Sequence, residues 1–83
     1  MTKTFTNEER YILRGKYAEG FTFVARDLDG SLYFYENTVT GKDGDTWYCD
    51  SGEVVEFDCP NETYYFKNIK FSDSDPIYIF KYM

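Results

Sequence analysis

Histidine is absent from the 83-residue chain. That excludes imidazole acid–base catalysis, Ser–His and Cys–His nucleophile pairs, and most zinc sites. Cysteine is scarce. Cys49 and Cys59 are the only two, too few for the disulfide framework of a small secreted domain. They flank an expected hairpin without standing directly opposed, and no basic neighbour favours a thiolate at either, so reduced structural thiols are expected. Long hydrophobic runs are also missing. No apolar stretch approaches the ~20 residues that cross a membrane, and the opening residues 1–10 lack the apolar core of a secretory signal. A cytoplasmic protein with no membrane partner is the expectation. Positive charge is in short supply: nine Lys and Arg stand against 15 Asp and Glu, for a net charge of −6.

What the chain has in abundance is aromatic surface. Eight Phe, nine Tyr and one Trp make up more than a fifth of the residues. Each can bury about 150–250 Å² with few rotatable bonds, so the chain folds despite its acidity. Residues 1–83 suffice for one small domain, which buries only ~60–65% of its unfolded surface. Nine tyrosines exceed what such a core needs, and several must reach the surface, where Tyr is favoured at protein interfaces.

Thr6 and Glu9 form a capping box that starts a helix, with Phe5 placed to staple its first turn. Leu13 and Tyr17 carry the apolar stripe, and Gly20 is a C′ residue that ends the helix near Glu19. Gly15 lies inside and either costs ~1 kcal/mol or marks a close approach of another element. The period then changes to two. Residues 21–26 read as a strand, Asp27-Leu28-Asp29-Gly30 as a tight turn, and residues 31–36 as the returning strand. Residues 37–45 form a polar loop. Strands follow at 46–49 around Trp47 and at 53–57. Pro60 stops pairing, Asn61-Glu62 can cap a helical turn over 63–68, and residues 77–82 form a terminal strand. The expected architecture is α+β: an N-terminal helix packed on an antiparallel β-meander of four to five strands. Phe21, Phe23, Leu32, Phe34, Trp47, Val55 and Phe57 form the expected core with Leu13 and Tyr17.

Charge is segregated along the chain. Residues 27–66 hold ten acidic side chains and a single basic one, Lys42. Such a field repels nucleic acid and steers basic partners, although net charge also serves solubility and the blunting of exposed edges. Asp27-x-Asp29-Gly30 resembles the start of a calcium loop, but Leu32 falls where a further oxygen is needed, so a structural turn without metal is expected. No other cofactor is implied. Carboxylate pairs suited to glycoside hydrolysis are inevitable in so acidic a chain, and 83 residues leave no room for a deep cleft; no enzymatic activity is expected. The candidate partner-binding residues are Tyr33, Tyr35 and Tyr48, which alternate with core positions on the sheet face away from the helix, and the acidic Glu36, Asp43 and Asp45. Burial of that face by the C-terminal segment or by a homodimer is the competing outcome.

The stretch Phe23-Val24-Ala25-Arg26-Asp27-x-Asp29-Gly30-x-Leu32-Tyr33-x-Tyr35 resembles a pattern in small uncharacterised proteins of phages and prophages of Gram-positive bacteria. In that pattern an N-terminal helix precedes the hairpin and a tryptophan-bearing strand follows it, as Trp47 does here. Residues 69–73 ahead of Asp75-Pro76 fit its later part, with Phe71 where the pattern has Trp and no proline near Val39. The resemblance covers about residues 8–78. It implies a phage-borne accessory protein and carries no activity or catalytic residue. Two functions follow as expectations. One is a non-enzymatic module that docks a basic host or phage protein, for example by occupying the nucleic-acid-binding surface of a host defence effector. The other is a small nucleic-acid-binding module using Lys3, Arg10, Arg14 and Lys16 of the basic N-terminal segment, a signal diluted by Glu8 and Glu9.

Overall fold

The Thr6–Glu9 pair starts the helix as its spacing requires. In the computed structural model, which describes residues 3–57 and 65–83, α1 spans Asn7–Ala18. The Thr6 hydroxyl accepts the Glu9 amide at 3.1 Å and the Glu9 carboxylate accepts the Thr6 amide at 2.9 Å. The helix ends in a Schellman motif. Gly20 takes φ 105°, its amide donates to the Tyr17 carbonyl, and the Phe21 amide donates to Lys16, which closes two carbonyls that the last turn leaves open. Phe5 does not staple the first turn. Position N4 is Arg10, which offers no apolar partner, and Phe5 instead packs edge-on against Phe66 and Tyr82 with centroids 5.9 and 5.2 Å away.

Among the described residues six short strands follow: β1 (Phe23–Arg26), β2 (Leu32–Tyr35), β3 (Gly41–Asp43), β4 (Thr46–Tyr48), β5 (Val54–Glu56) and β6 (Ile77–Tyr78), with a 3₁₀ turn at Ile79–Lys81. Four of them make an antiparallel sheet in the order β5-β2-β1-β6, and β3 and β4 pair separately. The fold is α+β, with the helix on one face of the antiparallel sheet. The meander departs from expectation at its middle. The Trp47 strand leaves the sheet to pair with a strand inside the supposed loop. Gly44, at φ 64°, is the first central residue of the two-residue turn between Asp43 and Thr46, the position where a type II′ hairpin turn uses glycine. β5 then takes the place beside β2. The terminal strand is only two residues long, because the chain tightens into the 3₁₀ turn, and residues 69–71 are not a strand.

Register sorts the side chains onto two faces. Val24 opposes both Phe34 and Ile77, and Phe34 opposes Val55. This row faces α1 and builds the main core with Leu13, Phe21, Leu32, Phe57, Phe66, Ile69 and Ile79. Leu13, Val24, Leu32, Phe34, Phe66 and Ile79 are wholly buried, each contributing about 1.5–3 kcal/mol if an apolar side chain of this size is fully removed from water. Two core expectations need correction. Phe21 belongs to the helix terminus and not to the strand's alternation, so the phase is set by Val24, and Phe23 lies half-buried on the opposite face. Trp47 is buried, but on that same outer face. Val55 and Tyr17 pack against the main core as partly buried side chains.

Beyond β5, Asp58 to Tyr64 lie outside the described residues, and with them Cys59, Pro60 and the expected cap at Asn61–Glu62. Cys49 carries a free thiol. The described end of the expected helical turn is not helical: Phe66 adopts φ 59° and the Ile69 amide closes a turn onto its carbonyl. This segment is held by Arg26, which extends from the core-facing side of β1. Its Nε donates to the Ile69 carbonyl at 2.8 Å, one terminal nitrogen to Gly30, and the other to Tyr65 and Phe66 at 3.1 Å each. Glu9, also buried, accepts the Phe66 amide. No helix among the described residues is long and apolar enough to cross a membrane.

Candidate functional site

The outer face of the sheet starts as a patch of rings. Ala25 opposes Tyr33, and Phe23 opposes Tyr35. An uncovered sheet face this apolar demands a second layer, and the β3–β4 hairpin supplies it. Trp47 lies on Ala25, Tyr35 and Val39, all buried, with Phe23, Tyr33, Cys49 and Phe71 half-buried around them. Hydrogen bonds fix the hairpin to the β1–β2 turn. The Trp47 amide donates to Asp27 Oδ1 at 2.9 Å, the Trp47 indole nitrogen to the Arg26 carbonyl at 3.1 Å, and the Leu28 amide to the Asp45 carbonyl at 3.0 Å. Lys42 stands 4.8 Å from the Trp47 ring and 4.7 Å from Phe71, and donates to the Asp73 carbonyl at 2.8 Å. The one cation of the acidic stretch is thereby engaged by the fold.

Coverage is incomplete. An open groove of about 270 Å³ remains, lined by Asp27, Tyr33, Tyr35, Trp47, Tyr48, Cys49 and Val54. Tyr48 and Val54 are 41% and 43% exposed, so the groove has an apolar wall that water still wets. Burial pushes the Asp27 carboxyl up, the Trp47 amide opposes that shift, and Asp29 adds to it. Asp29 is shifted down because it accepts the Ser31 amide. Burial also pushes the Tyr35 hydroxyl up, helped by the nearby Asp27, Cys49 and Tyr33. The Tyr33 hydroxyl moves in the same direction through desolvation, then Glu56, Asp27 and Asp29. The groove therefore holds partly desolvated carboxyl and hydroxyl groups in a negative field.

The six sequence-chosen residues divide. Tyr33 and Tyr48 line the groove as exposed or half-exposed rings. Tyr35 lines it too, but is 2% exposed. It points to the expected face, yet the hairpin roofs that face, so its ring is not available to a docking partner. The cover is thus the chain's own hairpin, not the C-terminal segment alone. Asp43 and Asp45 are exposed at the hairpin turn, with the Asp45 backbone tied beside Asp27. Glu36 is exposed at the end of β2 and accepts the Glu53 amide at 3.2 Å.

Sequence reasoning missed Arg26 and Asp27 as anchors. The signal for Arg26 was available: it follows Val24 by two on the core-facing side of a strand, where a charge must find partners. Asp27 stands in a turn motif, and no local pattern reveals that the Trp47 amide, twenty residues on, is its donor. Of the basic N-terminal set, Lys3 pairs with Asp73 at 3.2 Å and Lys16 with Glu19 at 3.6 Å. Lys16 also lies over the Phe21 and Phe34 rings, and Arg14 over Tyr11. Comparison of the chain with protein-family models, with curated proteins and with solved structures gives no match.

Proposed function

We propose that this chain is a non-enzymatic, phage-borne interaction module that docks a basic protein of the host or of the phage on its acidic outer face, within the host cytoplasm. The observation that carries the reading is the pairing of a wetted aromatic groove with an acidic surround. Tyr33, Tyr48 and Val54 give contact area, while Asp43 and Asp45 stay exposed at the hairpin turn and Lys42, the stretch's only cation, is engaged by Trp47 and Asp73. Aromatic contact at the centre supplies binding energy, and acidic groups around it act mainly on association rate and specificity. A host nucleic-acid-binding protein, a defence effector among them, presents the complementary basic surface. The basic N-terminal segment supports a nucleic-acid role less well, since Lys3 and Lys16 already hold carboxylates of the fold.

The test is affinity capture from lysate of a Gram-positive host over a range of salt. We expect retention of a basic protein that weakens as salt rises. Paired Asp43→Lys and Asp45→Lys substitutions abolish it, and Tyr33→Ala or Tyr48→Ala reduces it, with circular dichroism unchanged. Wild-type retention by every variant refutes the acidic face as the docking site. Retention of the protein itself on heparin at low salt points to the nucleic-acid reading instead, and a concentration-dependent dimer that hides Tyr48 points to a second copy.

A further inference from the structure

The groove on the outer face holds a negative charge that the fold does not neutralise. Asp27 is 8% exposed, and its Oδ1 accepts one backbone amide, from Trp47. Among the described residues no cation forms an ion pair with it. Arg26, its chain neighbour, directs its guanidinium to carbonyls, and Lys42 is held between Trp47 and Phe71. A carboxylate kept from water without a cation is costly, which is the physical reason its proton affinity rises. A visiting cation would relieve that cost.

The walls have the chemistry to receive one. Tyr33, Tyr35, Trp47 and Tyr48 surround the same space as Asp27. Aromatic faces attract cations, most strongly in a desolvated site, and a planar guanidinium stacks on them as an ammonium cannot. Lys42 already covers Trp47, so Tyr33 and Tyr48 are the rings left for a second cation. Tyr35, only 2% exposed, lines the floor, and no group among the described residues hydrogen-bonds its hydroxyl. That leaves a lone pair to accept an N–H. The volume, about 270 Å³, is below the ~300–1,000 Å³ typical of pockets for drug-sized ligands, and suits one long side chain.

We propose that this groove accepts an arginine side chain of the docked protein, its guanidinium stacked between Tyr33 and Tyr48 and directed at the Asp27 carboxylate. The inference rests on the acidic-face reading and sharpens it from a field effect to a pocket with one occupant. Arginine fits better than lysine for three reasons. It stays charged in a desolvated site, it presents several donors at once to Asp27 and Tyr35, and its flat face matches the rings.

The probe is Nα-acetyl-arginine amide, titrated against the intact protein and followed by side-chain NMR and by the fluorescence of the single tryptophan. Nα-acetyl-citrulline amide and Nα-acetyl-lysine amide are the comparisons, one neutral and of like shape, the other cationic but not planar. We expect saturable, millimolar binding of the arginine probe with shifts at Tyr33, Tyr48 and Trp47, weaker binding of the lysine probe, and none of citrulline. Asp27→Asn keeps an acceptor for the Trp47 amide and should weaken binding about tenfold by removing the charge, whereas Tyr48→Ala, at an exposed position, should weaken it about fivefold. Absence of saturable binding, equal binding of citrulline or lysine, or shifts confined to the Asp43–Asp45 turn each overturns the pocket. An oligo-arginine peptide separates this failure from failure of the broader reading. If the peptide still binds and Asp43→Lys with Asp45→Lys abolishes it, the acidic face stands without the pocket; if neither probe nor peptide binds, both readings fall.

Discussion

Arg26 offers the most direct test of how this small domain is held together. Its guanidinium joins three parts of the chain: β1, from which it extends, the β1–β2 turn at Gly30, and the 65–69 segment through Tyr65, Phe66 and Ile69. Four carbonyls lose a charged donor when it is removed. Bonds to charged groups are worth about 1.5–3 kcal/mol each, but they are not additive and water can reach part of this side chain, so a loss of about 3 kcal/mol is expected for Arg26→Gln. Arg26→Lys keeps the charge but lacks the fork that reaches several carbonyls together, and should lose about 2 kcal/mol. An 83-residue domain is stable by only about 4–12 kcal/mol. The larger loss therefore removes a quarter or more of the total and lowers the melting temperature by roughly 12 °C or more. Urea unfolding gives the magnitude, read as a shift in midpoint at constant slope. Amide exchange of Ile69, whose N–H bonds the Phe66 carbonyl at 2.9 Å, shows whether the 65–69 segment loosens first. Arg10, exposed on α1, is the control, and Arg10→Gln should stay within about 0.5 kcal/mol. If Arg26→Gln is as small as that, the guanidinium does not anchor the segment and the reasoning is wrong.

Asp27→Ala strands the Trp47 amide and should cost about 1–3 kcal/mol, while Asp27→Asn retains an acceptor and stays within about 1 kcal/mol of wild type at neutral pH. Because burial raises the Asp27 carboxyl, its contribution to stability is fully present below the ordinary aspartate value of 3.8 and is lost as pH rises through its folded value. Wild type should thus gain stability relative to Asp27→Asn on acidification from neutral to about pH 3.5, as thermal melts can record, and a relative loss contradicts the assignment. Asp29, shifted the opposite way, is present in both proteins and enters the comparison only through its lesser contribution to the Asp27 shift. Gly15→Ala should stabilise by about 0.5–1 kcal/mol, since it lies inside α1 and a Cβ there meets nothing within 4 Å; a lower urea midpoint would show a constraint at this glycine that the packing does not contain.

The parts legible in the sequence are those whose partners are close along the chain. Thr6 and Glu9 are three apart, Gly20 directly follows the helix it ends, and the Asp27–Gly30 turn joins adjacent strands. The parts that were not legible depend on distant or atypical partners. β3 consists of Gly41, Lys42 and Asp43, none of them a strand former, and it exists because a glycine turn returns it to Trp47. Phe23 and Phe21 look equivalent by alternation, yet the helix cap takes Phe21 and shifts the phase. The exposure of Tyr33, Tyr35 and Tyr48 could not be ranked without knowing what lies over the outer face. Burial depends on that roof and not on strand periodicity.

The roof also determines what the acidic charge can do. Acids scattered on the surface of a domain this small would be screened within about 8–10 Å at physiological salt and would act mainly on solubility. Here β4 draws Trp47 onto the sheet through the Asp27 carboxylate itself, so the contact that closes the outer layer also takes one acid out of water. Neutralising that acid internally would have needed a cation brought against it, and Arg26 and Lys42 are engaged elsewhere, Arg26 at the 65–69 carbonyls and Lys42 at Phe71 and Asp73. An apolar residue at position 27 would avoid the desolvation cost but leave the Trp47 amide without its acceptor. Asparagine satisfies the amide at no charge, so stability alone does not require aspartate there. The negative charge at the floor of the groove is the feature that folding leaves unexplained, and its effect on a cation presented from outside is what distinguishes Asp27 from its amide.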